Sequence, residues 1–320
     1  MKGDAAVDFS KVLAVVGPTA SGKTWLAVQL AKRYGGEVIS CDSMQIYRYM
    51  TIGTAKPTAR EMEGIPHHLV DFLDPDQPFS VAEYVELARK KAAEISQRGH
   101  LPILAGGTGL YLDAFLTNTS FAQIQRDDGL RQELEQLGKD RGPDYLHSLL
   151  AQVDPELAQK LHPHNVGRVI RALEVYRLTG IPMSQHQAQS RLQPPSFQSC
   201  VIGLDCQDRS HLYERINLRV DQMMEQGLLE EVRALRERGF SRTACQAIGY
   251  KELFGFLEGN MTLPEAVELV KRSTRRYAKR QLTWFRRNPD IHWINIDIPG
   301  RNSEDILKDA LQAVEMSGLI

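Results

Sequence analysis

The chain has 320 residues, 42% of them hydrophobic and 25% charged, which is long enough for one large domain or two ordinary ones and excludes disordered and fibrous classes. Its longest segment free of Asp, Glu, Lys and Arg, Gly99 to Leu112, is too short to cross a bilayer; the opening MKGDAAVDFSK lacks the apolar core of a secretory signal, so a cytoplasmic protein with no membrane partner is expected. The 39 basic against 40 acidic residues give a formal net charge of -1, which by itself argues against a strongly basic nucleic-acid binder.

Val12 to Val16 (VLAVV) is a short apolar run ending at a glycine and reads as a buried strand. Directly after it, Gly17-Pro18-Thr19-Ala20-Ser21-Gly22-Lys23-Thr24 matches the phosphate-loop pattern G-x-x-x-x-G-K-S/T. A helix follows, with Leu26, Leu30 and Tyr34 at helical spacing, and Gly35-Gly36 ends it before a second strand, Val38 to Ser40. The glycines let successive backbone N–H groups turn around phosphate oxygens, the helix N-terminus adds positive potential, and Lys23 supplies a mobile charge. Thr24 would hold a magnesium ion. The pattern alone does not decide between a nucleotide triphosphate such as ATP and another polyphosphate.

The second strand runs out at Cys41-Asp42-Ser43-Met44-Gln45, which places Asp42 at the carboxyl end of a strand beside the loop, where doubly wound sheets put their ligands. A carboxylate there has two roles open to it: binding magnesium through water, or acting as general base on an acceptor. His67-His68 are neighbours in sequence and point apart, so packing or substrate contact is favoured over a metal; His162 and His164 read the same way. Ser80 and Glu83 form a capping box for a helix with Val81, Val85, Ala88 and Ile95 inward and Gly99 as its stop. The strand LPILA then leads into a second glycine loop, Ala105 to Tyr111, near the same rim. Strands alternating with helices make the expected fold class α/β, a phosphate-loop parallel sheet with helices on both faces.

After Leu116 the pattern turns helical, with no clear strand until Val201 to Leu204. An inserted all-helical subdomain over 121–196 is expected, splitting a catalytic core of 1–120 and 197–320. Its best helix is Val166 to Thr179, with Val166, Val169, Ile170, Leu173 and Tyr176 as one stripe and Gly180 and Pro182 as stops. LQPPSF reads as the return linker. Beyond Leu204 come long helices. The first turns Leu212, Ile216, Val220 and Met223 inward, and Arg215 and Arg219 lie one turn apart beside that face. An arginine fork suits a diphosphate, although a solvated helix flank fits the spacing equally. The run KRSTRRYAKRQLTWFRR is helical by composition, with Tyr277 and Trp284 seven residues apart and read as core. Eight basic residues and no acidic one lie between Leu269 and Pro289, leaving 31 basic against 40 acidic elsewhere, a balance of -9. Near-neutrality is therefore a cancellation, and the basic segment suits a phosphate backbone. Cys41, Cys200, Cys206 and Cys245 form no CxxC pair and read as reduced structural thiols.

Taken in order, GPTASGKT, DSMQIYR from Asp42, GTAKP from Gly53, HHLVD from His67, GGTGLY from Gly106, RVIRALEVYRLTG from Arg168, RINLRV from Arg215, IGYKE from Ile248 and AKRQLTWFRR from Ala278 resemble the tRNA dimethylallyltransferases, also called tRNA isopentenyltransferases. The resemblance covers nearly the whole chain. It implies transfer of a dimethylallyl group from dimethylallyl diphosphate to the exocyclic amine of the adenosine 3′ of the anticodon, position 37, in tRNAs reading codons that begin with U. It implies that Thr19 to Thr24 hold the diphosphate, and that Asp42, Ser43, Met44 and Gln45 meet the flipped adenine. Thr108, Arg131, the segment Gly167-Arg168-Val169-Ile170-Arg171 and the segment Gln246-Ala247-Ile248-Gly249-Tyr250-Lys251 fall at family positions touching the tRNA anticodon stem-loop or lining the channel. Arg219 falls at the family's diphosphate-stabilising arginine. The family often has Gln-Arg where this chain has Gly167-Arg168, and Arg-Cys-Val-Gly-Tyr-Arg where it has Gln246 to Lys251.

An adenine amine is a poor nucleophile because its lone pair is delocalised, so Asp42 as base would help as the bond forms. Lys23, Arg219, Thr19 with the other loop N–H groups, and Mg2+ would stabilise the departing diphosphate. A kinase using the same loop with ATP explains the loop and Asp42 but not the basic helix; an RNA-binding module explains the helix but leaves Asp42 idle. Nothing suggests a dedicated interface, so a monomer is expected.

Overall fold

The computed structural model describes residues 10–117, 127–191, 197–241 and 243–320. The chain divides into two compact units, Met1–Leu116 with Ser196–Ile320, and Thr117–Pro195. Six strands, β1 Ser10–Val16, β2 Gly36–Ser40, β3 His67–His68, β4 Leu101–Gly106, β5 Phe197–Asp205 and β6 Ile291–Asn295, make one sheet in the first unit. Its helices in chain order begin with α1 Lys23–Tyr34, α2 Ala59–Met62, α3 Val81–Gln97 and α4 Gly109–Leu116. The second unit holds α5 Asp128–Arg141, α6 Pro143–Val153, α7 Pro155–Lys160, α8 Val166–Thr179 and α9 Met183–Arg191. The first unit resumes with α10 Arg209–Glu225, α11 Leu228–Arg238, α12 Tyr250–Leu257, α13 Leu263–Phe285 and α14 Ser303–Met316.

The strand order is β3-β2-β4-β1-β5-β6, and every described pairing between strands is parallel. Central β1 sets Leu13 opposite Ile103 of β4 and Cys200 of β5. Both of its faces are covered, so Val12 to Val16 are all buried and no apolar–polar alternation survives. On one face Leu13 and Val15 pack with Leu26 and Leu30 of α1 and Ala310 and Val314 of α14. The opposite face is covered by α3, which the Ser80–Glu83 capping box starts as expected. Its inward stripe is centred on Tyr84, Val85 and Ala88 rather than on Val81, and the Tyr84 hydroxyl donates to Ser40 O at 3.0 Å.

Two strands were not read from the sequence. His67-His68 form the edge strand β3, and β6 adds Ile291–Asn295 at the other edge. β5 also starts four residues earlier than the apolar run, at Phe197, which stacks on Phe115 with centroids 4.6 Å apart. Residues 192–196 of the LQPPSF segment lie outside the described residues. His68 meets Glu37 of β2 at 2.6 Å, and His100 and Arg98 meet the same carboxylate at 2.6 and 2.8 Å. Burial pushes the Glu37 carboxyl up, but the bonds from Arg98, His68 and His100 outweigh it and bring it down to about 2. His68 is thus packed at a sheet edge by its bond to Glu37.

In the second unit, Leu134, Leu146, Leu150, Val169 and Leu173 form a core of their own. α8 runs Val166–Thr179 and stops on Gly180, whose φ of 71° is the left-handed cap expected of a glycine there. No helix among the described residues is long and apolar enough to cross a membrane.

Candidate active site

The phosphate loop joins the end of β1 to the start of α1. At Gly17 the backbone takes φ 146° and runs so close to β5 that a Cβ would lie 2.7 Å from Leu204 O. Gly22, at φ 92°, turns the chain into α1. Ser21 is buried and its hydroxyl has no partner among the described residues. Lys23 folds back to donate to Pro18 O at 2.6 Å.

Beside this loop, Asp42 leaves β2 in a turn in which its Oδ1 accepts the N–H groups of Met44 and Gln45 at 2.9 and 3.4 Å. The second glycine loop braces the turn: Thr108 Oγ1 accepts the Ser43 N–H at 3.1 Å, and Thr108 N donates to Cys41 O at 3.1 Å. Gln281 of α13 then joins the two glycine loops. Its Oε1 accepts the Thr19 N–H at 2.9 Å, and its Nε2 donates to Gly107 O at 3.0 Å.

These parts open on one cavity of about 300 Å³, lined by Thr19, Lys23, Thr24, Asp42 and Arg219 on its polar side and by Ile216, Val220, Met223 and Val270 among its apolar residues. An adjoining recess of about 700 Å³ shares Lys23, Thr24 and Arg219 and adds Ser21, Gly22 and Arg215. Arg219 therefore reaches both spaces, whereas Arg215 lines only the recess. Burial pushes the Asp42 carboxyl above its ordinary value even though the Met44 and Gln45 N–H groups, Lys23 and Arg219 oppose the shift. Burial, and then the charge of Arg219, lower the Lys23 ammonium to about 7 against the pull of Asp42. Arg219 is likewise lowered by burial. Two cations and a carboxylate whose ordinary charges are disfavoured share one cleft, the usual mark of a reactive site.

A family model described as IPP transferase matches residues 45–288. The chain belongs to the IPP transferase family. It is 53% identical over 291 residues to a tRNA dimethylallyltransferase of Acetivibrio thermocellus, covering 90% of this chain and 93% of the relative. It is 51% identical over 292 residues to one of Geobacillus kaustophilus, covering 91% and 92%. Among solved structures it resembles the full-length tRNA isopentenylpyrophosphate transferase of Bacillus halodurans, with TM-score 0.70, 46% identity and coverage of 97% and 98%. It also resembles a eukaryotic dimethylallyltransferase captured acting on tRNA, with TM-score 0.80, 31% identity and coverage of 97% and 79%. The six-stranded parallel sheet with its helices is the fold of this IPP transferase family.

Within this family member, about half of the site residues singled out in the sequence line the cavity. Ser43, Met44, Gln45, Gln246, Ala247, Ile248, Gly249 and Lys251 line it. Tyr250 does not; it is fully buried, and its hydroxyl donates to Glu231 at 2.6 Å. Arg131 and Gly167 to Arg171 belong to the second unit. There Gly167 and Arg168 are exposed on the first turn of α8, but Val169 and Ile170 are core residues, so their side chains are not presented to a ligand. Arg171 and Arg131 lie 3.0 and 3.6 Å from the buried carboxylate of Glu174.

α13 departs from expectation. Tyr277 lines the cavity instead of filling a core, and Trp284 spends its N–H on Asp113 at 2.7 Å. The surface of this helix is also less uniformly positive than its composition: Lys271 pairs with Asp221 at 2.6 Å, Arg275 with Glu268 at 2.9 Å, and Arg286 with Asp205. Gln281, Tyr277 and Arg280 were missed as cavity residues. The signal for Gln281 was present, because a lone amide sits on the apolar stripe that Val270, Ala278, Leu282 and Phe285 define.

Proposed function

We propose that this protein transfers a dimethylallyl group from dimethylallyl diphosphate to the exocyclic amine of adenosine 37 in tRNAs reading codons that begin with U. The observation that carries this reading is one cavity with Asp42 facing Lys23, Arg219 and the phosphate loop across an apolar wall. The allylic C–O bond breaks as the N–C bond forms, and the two ends of that exchange need opposite help. Asp42, closer to base strength than an ordinary carboxylate, takes the proton of the amine. Lys23, Arg219 and the loop N–H groups other than that of Thr19, which Gln281 holds, bear the growing negative charge of the diphosphate. The apolar wall is the right chemistry for a five-carbon tail and excludes water from a cationic allyl centre.

Ser21, with a buried hydroxyl that lacks a partner among the described residues, and Thr24 fit a hydrated Mg2+ beside a phosphate oxygen. When bound, the ion would neutralise leaving-group charge. For tRNA, the exposed Arg272, Arg276 and Lys279 of α13 and Arg168 of α8 suit backbone phosphates. The adenine must leave its stack to reach the cavity.

The test is incubation with Mg2+, labelled dimethylallyl diphosphate and unmodified tRNA without ATP. Label is expected on the tRNA. Label remaining on the diphosphate, together with ATP consumption in a parallel incubation with ATP and a small acceptor, would instead make the protein a kinase.

A further inference from the structure

Glu231 of α11 lies outside every motif named above, yet one carboxylate there organises a whole wall of the cavity. Its Oε2 accepts the N–H groups of Thr51 and Ile52 at 2.9 and 2.8 Å, and its Oε1 accepts the Gly53 N–H at 3.1 Å and the Tyr250 hydroxyl at 2.6 Å. Three successive backbone donors on one anion are charge-assisted bonds and hold the chain firmly. Tyr250 closes the other side: its ring lies so close to Gly53 that a Cβ there would sit 2.5 Å from it.

The residues just beyond this clamp face Gln45. Gln45 Nε2 donates to Thr54 O at 3.3 Å and to Ala55 O at 3.1 Å, and its Oε1 accepts the Ser40 hydroxyl at 3.1 Å. Both amide hydrogens are thereby committed, and one lone pair of Oε1 is the amide's uncommitted position among the described residues. A glutamine amide can turn over, presenting donors where it had an acceptor; only its surroundings decide which. An exocyclic amine carries two hydrogens. One leaves to the base, and the other is best met by an acceptor.

We propose that Glu231 is a positioning residue for prenyl transfer: by clamping Thr51 to Gly53 it fixes the Thr54 and Ala55 carbonyls, which lock the Gln45 amide with its oxygen facing the amine. This rests on the prenyl-transfer reading above. It differs from a purely structural role, because its effect must run through Gln45.

The experiment is a double-mutant cycle on the full chain, with single-turnover transfer of label to tRNA. Glu231→Gln keeps the shape but sets an amide N–H against backbone N–H groups. It should lower the transfer rate about tenfold at saturating substrates while KM for both substrates stays within about threefold. In a Gln45→Ala background the same change should cost less than about twofold. Tyr250→Phe removes one bond to the carboxylate and should lower the rate about threefold, again only while Gln45 is present; it carries the test if Glu231→Gln does not fold. An unchanged rate in Glu231→Gln, or a loss of equal size with and without Gln45, overturns the proposal while leaving prenyl transfer standing. A wild-type chain that moves no label overturns both.

Discussion

Gln281 Oε1 accepts the backbone N–H of Thr19 at 2.9 Å, tying the last turns of α13 to the phosphate loop. The same amide reaches Gly107 O, and a Cβ on Gly107 would lie 2.0 Å from it, so the glycine is what lets the amide in. Gln281→Leu fills the space but strands an N–H and a C=O. We expect a loss of about 2 kcal/mol in urea unfolding. KM for dimethylallyl diphosphate should rise several-fold, and an unaltered KM would mean the loop keeps its shape unaided.

Asp42 supports its own turn as well as facing the cavity, so Asp42→Asn is a cleaner probe than Asp42→Ala, because the amide oxygen can still accept the Met44 and Gln45 N–H groups. Turnover should fall roughly 10²-fold or more. Affinity for tRNA in filter binding should stay within about threefold. Retained turnover would take the base role from Asp42.

Lys23 has a lowered pKa in the ligand-free site, about 7, from burial and Arg219. Below that pH it is charged; above it, mostly neutral. A bound diphosphate favours the charged form and raises the pKa, so binding takes up a proton in the window from about 7 upward, and affinity declines as pH rises through it. Calorimetry at pH 8 in two buffers of different ionisation enthalpy should give different heats. With Lys23→Arg, which stays protonated, the difference should vanish. Equal heats for the wild type would contradict the assignment.

Three of the eight basic residues of the α13 region are held in ion pairs, whereas Arg272, Arg276 and Lys279 are exposed. Changing those last three to Ala should flatten the slope of log Kd for tRNA against log salt by about 2. Changing Lys271 and Arg286 should alter stability more than the slope. A slope untouched by the triple change would give this face no phosphate contact.

The phosphate loop, the strands that flank it and helix Val166–Thr179 were legible because each signal is local: a glycine spacing, an apolar run, a 3.6-residue stripe. The edges of the sheet were not. His67-His68 is a two-residue strand with no apolar pattern, and Ile291–Asn295 is half-exposed and carries its Trp beside Gly203. Strand order was equally hidden, since β4 enters between β2 and β1 through contacts about sixty residues apart or more. At the site, Asp42 and Lys23 could be picked out by chemistry, whereas the spacing of Arg215 and Arg219 fitted a solvated helix flank equally and the family resemblance alone singled out Arg219. Glu231 could not, because nothing local distinguishes a clamp carboxylate from a solvated one on a charged helix.

β1 precedes the other described strands in the chain and lies between β4 and β5. Its edge toward β5 has no partner until Phe197–Asp205 has been synthesised. At about 5–20 residues per second that is a wait of roughly 10–40 s with an apolar edge open. A nascent chain of this protein is therefore most prone to mispairing while its helical unit is still being made, and chaperones that shield strand edges should act on it in that interval.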